Sequence, residues 1–151
     1  MTGIIKIAKD ERGQALVEFA MIFTMLVILL FGIAEFGRGW YYANALSNGA
    51  RAGARYASMQ PKDANFYSRV HDYTLGQMTT ATKPASSAFV NFSVFSKNDN
   101  SAKTFDNLST GDSVMVITGY DMTVVTGHIV PTLNDSTKRI VRKATMRYEG
   151  N

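Results

Sequence analysis

The stretch "DERGQALVEFAMIFTMLVILLFGIAEFGRG", residues 10–39, decides the architecture of this chain. Residues 19–34 carry no charge. Counted from Ala15 to Ala34, the apolar segment covers about 20 residues, or about 30 Å as a helix, which matches the hydrocarbon thickness of a bilayer. The sequence therefore predicts one membrane-spanning helix near the amino terminus.

The helix is predicted to continue beyond the membrane. Trp40, Tyr41 and Tyr42 follow the apolar segment and are typical of an aromatic belt at the membrane–water interface. No proline interrupts the chain before Pro61. Residues 14–58 would then form a single transmembrane and stalk helix of about 65 Å.

Small residues recur on one face of the predicted stalk. Helical spacing aligns Ala45, Gly49, Gly53 and Ala57, and such a stripe lets another helix approach closely. Two partners remain open, since the chain's own carboxyl-terminal domain and a helix of another molecule satisfy the same packing. The opposite side carries Arg51 and Arg55, which are either solvated or paired with acids of a neighbouring molecule.

The leader is basic but does not fit an ordinary signal peptide. Secretory signals place a small-x-small cleavage site directly after the apolar centre. Here Glu35 and Phe36 follow that centre, and the first such triplet, residues 43–45, lies too far along the chain. Orientation is not settled by charge, because basic residues flank the span on both sides.

Glu18 is an acid at the edge of the apolar segment, and two explanations for it remain open. The helix dipole favours an acid near a helix amino terminus. Alternatively, cleavage between Gly13 and Gln14 would create an α-amino group, and the Glu18 of a neighbouring, staggered helix would neutralise it. A buried pair of this kind contributes more to register than to stability.

Three blocks of sequence carry a family resemblance. "RGQALVEFAMIF", "GIAEFGRGWYYANAL" and "NGARAGARYAS" keep their order and spacing between about residues 12 and 58. Together they resemble the TadE-like family, the minor pilins or pseudopilins of the tight-adherence (Flp) type IV pilus. That family commonly has a proline a few residues after the "VEF" motif, whereas Thr24 occupies about that place here, so no proline bend is expected.

The resemblance implies a structural protein that works by assembly. It implies cleavage between Gly13 and Gln14 by a prepilin peptidase, with Glu18 and Phe19 in the processing and pairing motif. Implied partners are the membrane, that peptidase, other pilins and the pilus assembly platform, in a homo- or hetero-oligomer. The implied location is the bacterial inner membrane, with the carboxyl-terminal domain extracytoplasmic, or the pilus at the cell surface.

Three segments are predicted from the resemblance and the sequence pattern: a prepilin leader at 1–13, the transmembrane and stalk helix at 14–58, and an extracytoplasmic domain at 59–151. Pro61 marks the last boundary. Within the domain, Phe66, Val70, Tyr73 and Leu75 have loosely helical spacing. Alternating patterns predict three strands, in "SAFVNFSVFS", "SVMVITGYDM" and "KRIVRKATMRYE". The charges of the last strand indicate one solvated face or a position at a sheet edge. The stretches "KNDNSAKTFDNLSTGD" and "TVVTGHIVPTLNDS" are predicted to be connecting segments. The fold class is α+β and pilin-like, with a short helix and about three antiparallel strands packed on the stalk.

No enzyme, cofactor or metal site is predicted. The chain has no cysteine and two histidines, His71 and His128, and adjacent residues such as His71 and Asp72 point about 100° apart on a helix. Gly111 and Asp112 indicate a turn rather than a phosphate or calcium loop, because neither a P-loop nor an EF-hand pattern is present. The +4 charge is scattered, so nucleic acid is not a predicted partner. The rival hypotheses are an uncleaved signal-anchor protein displaying a ligand-binding domain, and an exported enzyme.

Overall fold

The fold is a long amino-terminal helix with a small mixed domain wrapped around its second half. A computed structural model describes residues 11–78, 88–124 and 137–150. The two α-helices are α1 (Glu11–Met59) and α2 (Phe66–Gln77). The four strands are β1 (Ala88–Phe95), β2 (Ala102–Lys103), β3 (Ser113–Thr123) and β4 (Thr137–Arg147), and a 3₁₀ turn spans Phe105–Asn107.

Helix α1 is continuous over 49 residues, which confirms the predicted long helix. Thr24 does not interrupt it, because threonine, unlike proline, keeps its backbone N–H for the helical hydrogen bonds. Its hydroxyl also donates to the Ala20 carbonyl at 2.8 Å. The helix ends two residues before Pro61, where the ring cannot continue the helical hydrogen-bond pattern.

The strands form one antiparallel sheet in the order β2-β1-β3-β4. The three predicted strands are confirmed, and β4 lies at an edge. The count of about three was one short, because β2 pairs two residues with Val94 and Phe95. A two-residue strand in a polar segment leaves no periodicity to detect.

One face of the sheet packs on the helices. The alternating residues of β3 that point inwards include Val114, Val116 and Thr118, all buried. Around them lie two apolar clusters. The first joins the end of α1 to α2 and the distal sheet: Ala57, Phe66, Val70, Val94, Leu108, Val114 and Tyr148. The second lies nearer the apolar first half of α1: Leu46, Ala54, Met78, Val90 and Val116.

Helix α2 buries two of the four predicted residues, Phe66 and Val70, and adds Thr74 in place of Tyr73 and Leu75. Its buried residues are Phe66, Val70 and Thr74, whereas Tyr73 is 38% exposed and Leu75 only partly buried. The buried residues follow one another at intervals of four, a spacing that Met78 continues, and this face of α2 packs on α1. The prediction followed hydrophobicity and so overlooked Thr74, a polar residue on the packed face. Of the predicted connection at 123–136, residues 125–136 lie outside the described part of the chain.

Candidate assembly site on helix α1

The first half of α1 is left uncovered by the rest of the described chain, residues 60–78, 88–124 and 137–150. The segment Gly13–Met59 is long and apolar enough to cross a membrane, and none of its most apolar window is buried. Leu16, Met25 and Phe36 are 68%, 77% and 73% exposed. Exposing so much apolar surface to water is unfavourable, so this half is expected to be covered by lipid or by other helices.

The predicted processing residues lie together at the start of this half. Helix α1 runs through Gly13 and Gln14, and a Cβ added at Gly13 would meet nothing within 4 Å. The Gln14 Nε2 amide donates to the Glu18 Oε1 carboxylate at 3.2 Å, one turn further on. Both side chains are exposed, and the ring of Phe19 stacks on Phe23 at 5.7 Å. The carboxylate of Glu18 is therefore presented on the helix surface.

The small-residue stripe in the second half of α1 packs on the chain's own domain. Ala45 and Ala57 are buried. A Cβ added at Gly49 would lie 2.9 Å from Met78 Cγ, and one added at Gly53 would lie 3.1 Å from Thr74 Cβ. Of the two partners left open by the sequence, the structure thus places α2 on this stripe, and over these turns the stripe is occupied.

Polar contacts fasten the domain to the end of α1. The Thr118 hydroxyl donates to the Leu46 carbonyl at 2.9 Å, and the Tyr148 hydroxyl donates to the Gln60 carbonyl at 2.9 Å. The backbone N–H of Glu149 donates to the Ser58 carbonyl at 2.8 Å. None of the three contacts was predicted from the sequence. The available signals were a threonine on the apolar face of β3 and a tyrosine just past β4.

The side of α1 that carries Arg51 and Arg55 stays open. Both arginines are exposed and line a shallow groove with Tyr56, Tyr73 and Met146. The rings of Tyr56 and Tyr73 stack at 4.2 Å and form one wall. Within 11–78, 88–124 and 137–150, neither arginine has an ion-pair partner, so both are available to water or to another molecule.

The predicted aromatic belt is divided by the domain. Trp40 and Tyr41 are 65% and 50% exposed. Tyr42 is only partly exposed, because its ring packs on Tyr120 at 4.7 Å. Tyr42 therefore helps to attach the sheet to the helix, and the belt itself stays a prediction.

Asp112 is a buried structural acid. Its carboxylate is completely buried and accepts hydrogen bonds from Lys103 Nζ at 2.9 Å and from the backbone N–H groups of Lys97 and Ser109 at 3.0 Å each. The Lys103 hydrogen bond is the main reason why the pKa of Asp112 is lowered. Gly111 precedes it at φ +95°, a left-handed conformation that suits glycine in a turn. Through the bond to Lys103, the carboxylate of Asp112 connects β2 to the residue that directly precedes β3.

No metal-binding group of three or more His, Cys, Asp or Glu residues occurs among the described residues. The expectation that His71 and Asp72 diverge is wrong, since His71 Nδ1 lies 3.2 Å from Asp72 Oδ1 at the surface. Adjacent side chains can bend towards each other even though their Cβ atoms diverge. His128 lies outside the described residues.

The geometry defines a class of protein: a chain with one candidate membrane helix whose second half supports a small α+β domain. The family model described as TadE-like protein matches residues 13–55, which confirms the resemblance over that segment and indicates a protein associated with the Tad pilus system. No curated protein and no solved structure matches the chain significantly. The matched segment covers the candidate processing residues, the apolar half and most of the stripe.

Proposed function

We propose that this protein is a minor pilin or pseudopilin that assembles through α1 into a Tad/Flp-type pilus or its assembly complex, in support of adhesion or secretion. The observation that carries the proposal is the division of α1 into an uncovered apolar half and a half embedded in its own domain. Lipid covers the first half before assembly, and other pilin helices cover it afterwards. The TadE-like match over the same helix supports this reading.

Processing prepares the helix for assembly. A prepilin peptidase cuts between Gly13 and Gln14, both of which lie on an exposed part of α1. The new α-amino group of Gln14 is a cation at the membrane edge. The Glu18 carboxylate of a neighbouring chain neutralises it, which offsets the cost of keeping either charge near lipid and fixes the stagger between helices.

Subunit contacts use surfaces that the domain leaves open. Because α2 already occupies Gly49 and Gly53, close helix packing between subunits is confined to the uncovered first half. Further out, the arginine side of α1 faces neighbours, where Arg51 and Arg55 pair with their acids. The domain after Pro61 faces outward for contact or capping.

The test is the mature amino terminus of the protein isolated from its native bacterium. Intact mass and terminal sequencing should find a chain beginning at Gln14. A Gly13→Leu variant is the matched control, because a bulky residue at the cleavage position should leave the leader attached. A native protein that begins at Met1 or Thr2 would favour an uncleaved signal-anchor protein displaying a ligand-binding domain.

A further inference from the structure

The residue that the proposed cleavage exposes has a reactive side chain. Gln14 would become the first residue of the mature chain and would carry both a free α-amino group and a side-chain amide. When an amino-terminal glutamine cyclises, the α-nitrogen bonds to the Cδ carbonyl carbon and the bond from Cδ to Nε2 breaks. Nε2 leaves as ammonia with the proton that the α-nitrogen gives up. The product, a five-membered lactam, has no positive charge.

This reaction would remove the cation that the proposed subunit pairing uses. A lactam nitrogen is an amide nitrogen and is not protonated, so it offers the Glu18 of a neighbouring chain no opposite charge. The Glu18 carboxylate would then remain unmatched at the edge of the apolar segment, where a lone charge is unfavourable. A chain that assembles through its amino terminus must therefore keep Gln14 from cyclising.

One contact in the structure opposes ring closure. The Gln14 Nε2 amide donates to Glu18 Oε1 of the same chain at 3.2 Å. This bond directs the amide towards the next turn of α1, whereas ring closure requires the side chain to fold back onto its own α-nitrogen. Both side chains are exposed, so the hydrogen bond, and not burial, restrains the amide.

In the mature chain, Glu18 would be the nearest polar residue to Gln14. Residues 15–17 and 19–23 all have apolar side chains, and the next polar residue is Thr24. Thr24 lies about 15 Å further along the helix, and its hydroxyl donates to the Ala20 carbonyl. No other side chain of this segment can therefore replace Glu18 as the acceptor for the Gln14 amide.

Stabilisation of the helix is the simpler explanation of the contact. Polar pairs four residues apart on a helix are slightly favourable wherever they occur. That explanation predicts no effect of Glu18 on the chemical state of residue 14. The chemical state of the terminus therefore distinguishes the two explanations.

We propose that Gln14 is a site of lactam formation in the mature chain and that Glu18 of the same chain suppresses the reaction by holding the Gln14 amide. Glu18 is a positioning residue in this role, since it acts through the side chain of Gln14. A carboxylate beside the new terminus also favours the ammonium form, which has no free electron pair for attack. The inference rests on the proposed function for the cut after Gly13, and it gives Glu18 a role that precedes subunit pairing.

The native protein gives the first measurement. Intact mass spectrometry of protein from its own bacterium should find chains that begin at Gln14, mostly at full mass and with a minor fraction lighter by one ammonia molecule. A chain that still begins at Met1 or Thr2 would count against the proposed function. A chain that begins at Gln14 but is mainly in the lighter form would instead overturn this inference.

The second measurement does not depend on the bacterial peptidase. In the full-length chain, an enterokinase recognition sequence replaces residues 9–13, so that cutting in detergent makes Gln14 the first residue at a known time. The lighter form should appear about two- to tenfold faster in Glu18→Ala than in wild type, the factor that corresponds to the usual net free energy of one hydrogen bond. Glu18→Gln should cyclise at an intermediate rate, because its amide oxygen still accepts the bond but has no charge.

Two controls separate the contact from general effects. Gln14→Ala has no side-chain amide and should lose no ammonia at this terminus, which identifies the reacting group. Glu35→Ala removes an acid of the same helix that lies about 30 Å from Gln14, and it should leave the rate unchanged. Equal rates in wild type and Glu18→Ala, or equal acceleration by Glu18→Ala and Glu35→Ala, would overturn the proposal.

Discussion

Gly53 and Thr74 are in direct packing contact across the α1–α2 interface. A Cβ at Gly53 would overlap the Thr74 hydroxyl and lie 3.1 Å from both Thr74 Cβ and Cγ2. Thr74 has little freedom to move away, because it is completely buried and its hydroxyl donates to the Val70 carbonyl at 2.6 Å. The glycine is thus required by the close approach of two helices of one chain.

Gly53→Ala should destabilise the domain. Overpacking costs about 1–3 kcal/mol, and the better helix propensity of alanine returns about 1 kcal/mol. The net loss is measured as a lower thermal midpoint in detergent, followed by near-ultraviolet circular dichroism. Gly37→Ala is the matched control, since a Cβ there meets nothing within 4 Å.

The same contact predicts a rescue. Thr74→Ala removes the overlapping hydroxyl and methyl group, so combining it with Gly53→Ala should cost less than the sum of the two single changes. Strict additivity of the two changes would contradict direct packing.

Tyr148→Phe should lower stability by about 0.5–1.5 kcal/mol, the usual net value of a hydrogen bond. The ring would still fill its buried site, but the Gln60 carbonyl at the end of α1 would lose its donor. Chemical denaturation in detergent measures the change. Tyr67→Phe is the control because Tyr67 is 51% exposed and its ring contact with Phe92 survives. Equal effects of the two changes would argue against the Gln60 bond.

Acid should unfold the domain partly through Asp112. The pKa of this acid is below its ordinary value of 3.8, mainly because Lys103 donates a hydrogen bond to it. A lowered folded-state pKa contributes stability above pH 3.8 and loses it as the pH falls through the lower folded value. The stability of wild type should therefore decline steeply below about pH 4.

Asp112→Asn should lower stability at neutral pH and flatten that decline, since the buried acceptor of Lys103, Lys97 and Ser109 loses its charge. Midpoints measured between pH 2 and 7 test this. Asp72→Asn is the control, because the Asp72 side chain is 78% exposed. A variant that retains the full wild-type pH profile would contradict the role of Asp112.

Glu18→Ala should leave membrane insertion intact or improve it, since an acid at the edge of the span carries a cost. Incorporation into the pilus or its minor-pilin complex should fall, because the neighbour's amine loses its partner. Co-purification with the other pilins measures incorporation. Glu18→Asp keeps the charge on a shorter side chain and should retain part of the incorporation. If Glu18→Ala co-purifies with the other pilins in the same amount as wild type, the result would argue against pairing.

Local composition alone determined the apolar first half of α1, the candidate membrane span. The length of the apolar run, its flanking residues and the candidate processing residues all lie within a short stretch of sequence. The family match covers most of the same helix. The long helix, α2 and three strands were predictable for the same reason, since each has its own periodicity. Strand β2 was not, because two residues have no period.

Only the tertiary structure decided what each surface contacts. The stripe of Gly49 and Gly53 has the same sequence whether it faces another molecule or α2, because close helix packing depends on small size and not on partner identity. The same holds for Thr118 and Tyr148, whose hydroxyl groups donate to the Leu46 and Gln60 carbonyls, 72 and 88 residues away in sequence. Their partners are brought together by the folding of the sheet around α1, which no local pattern encodes.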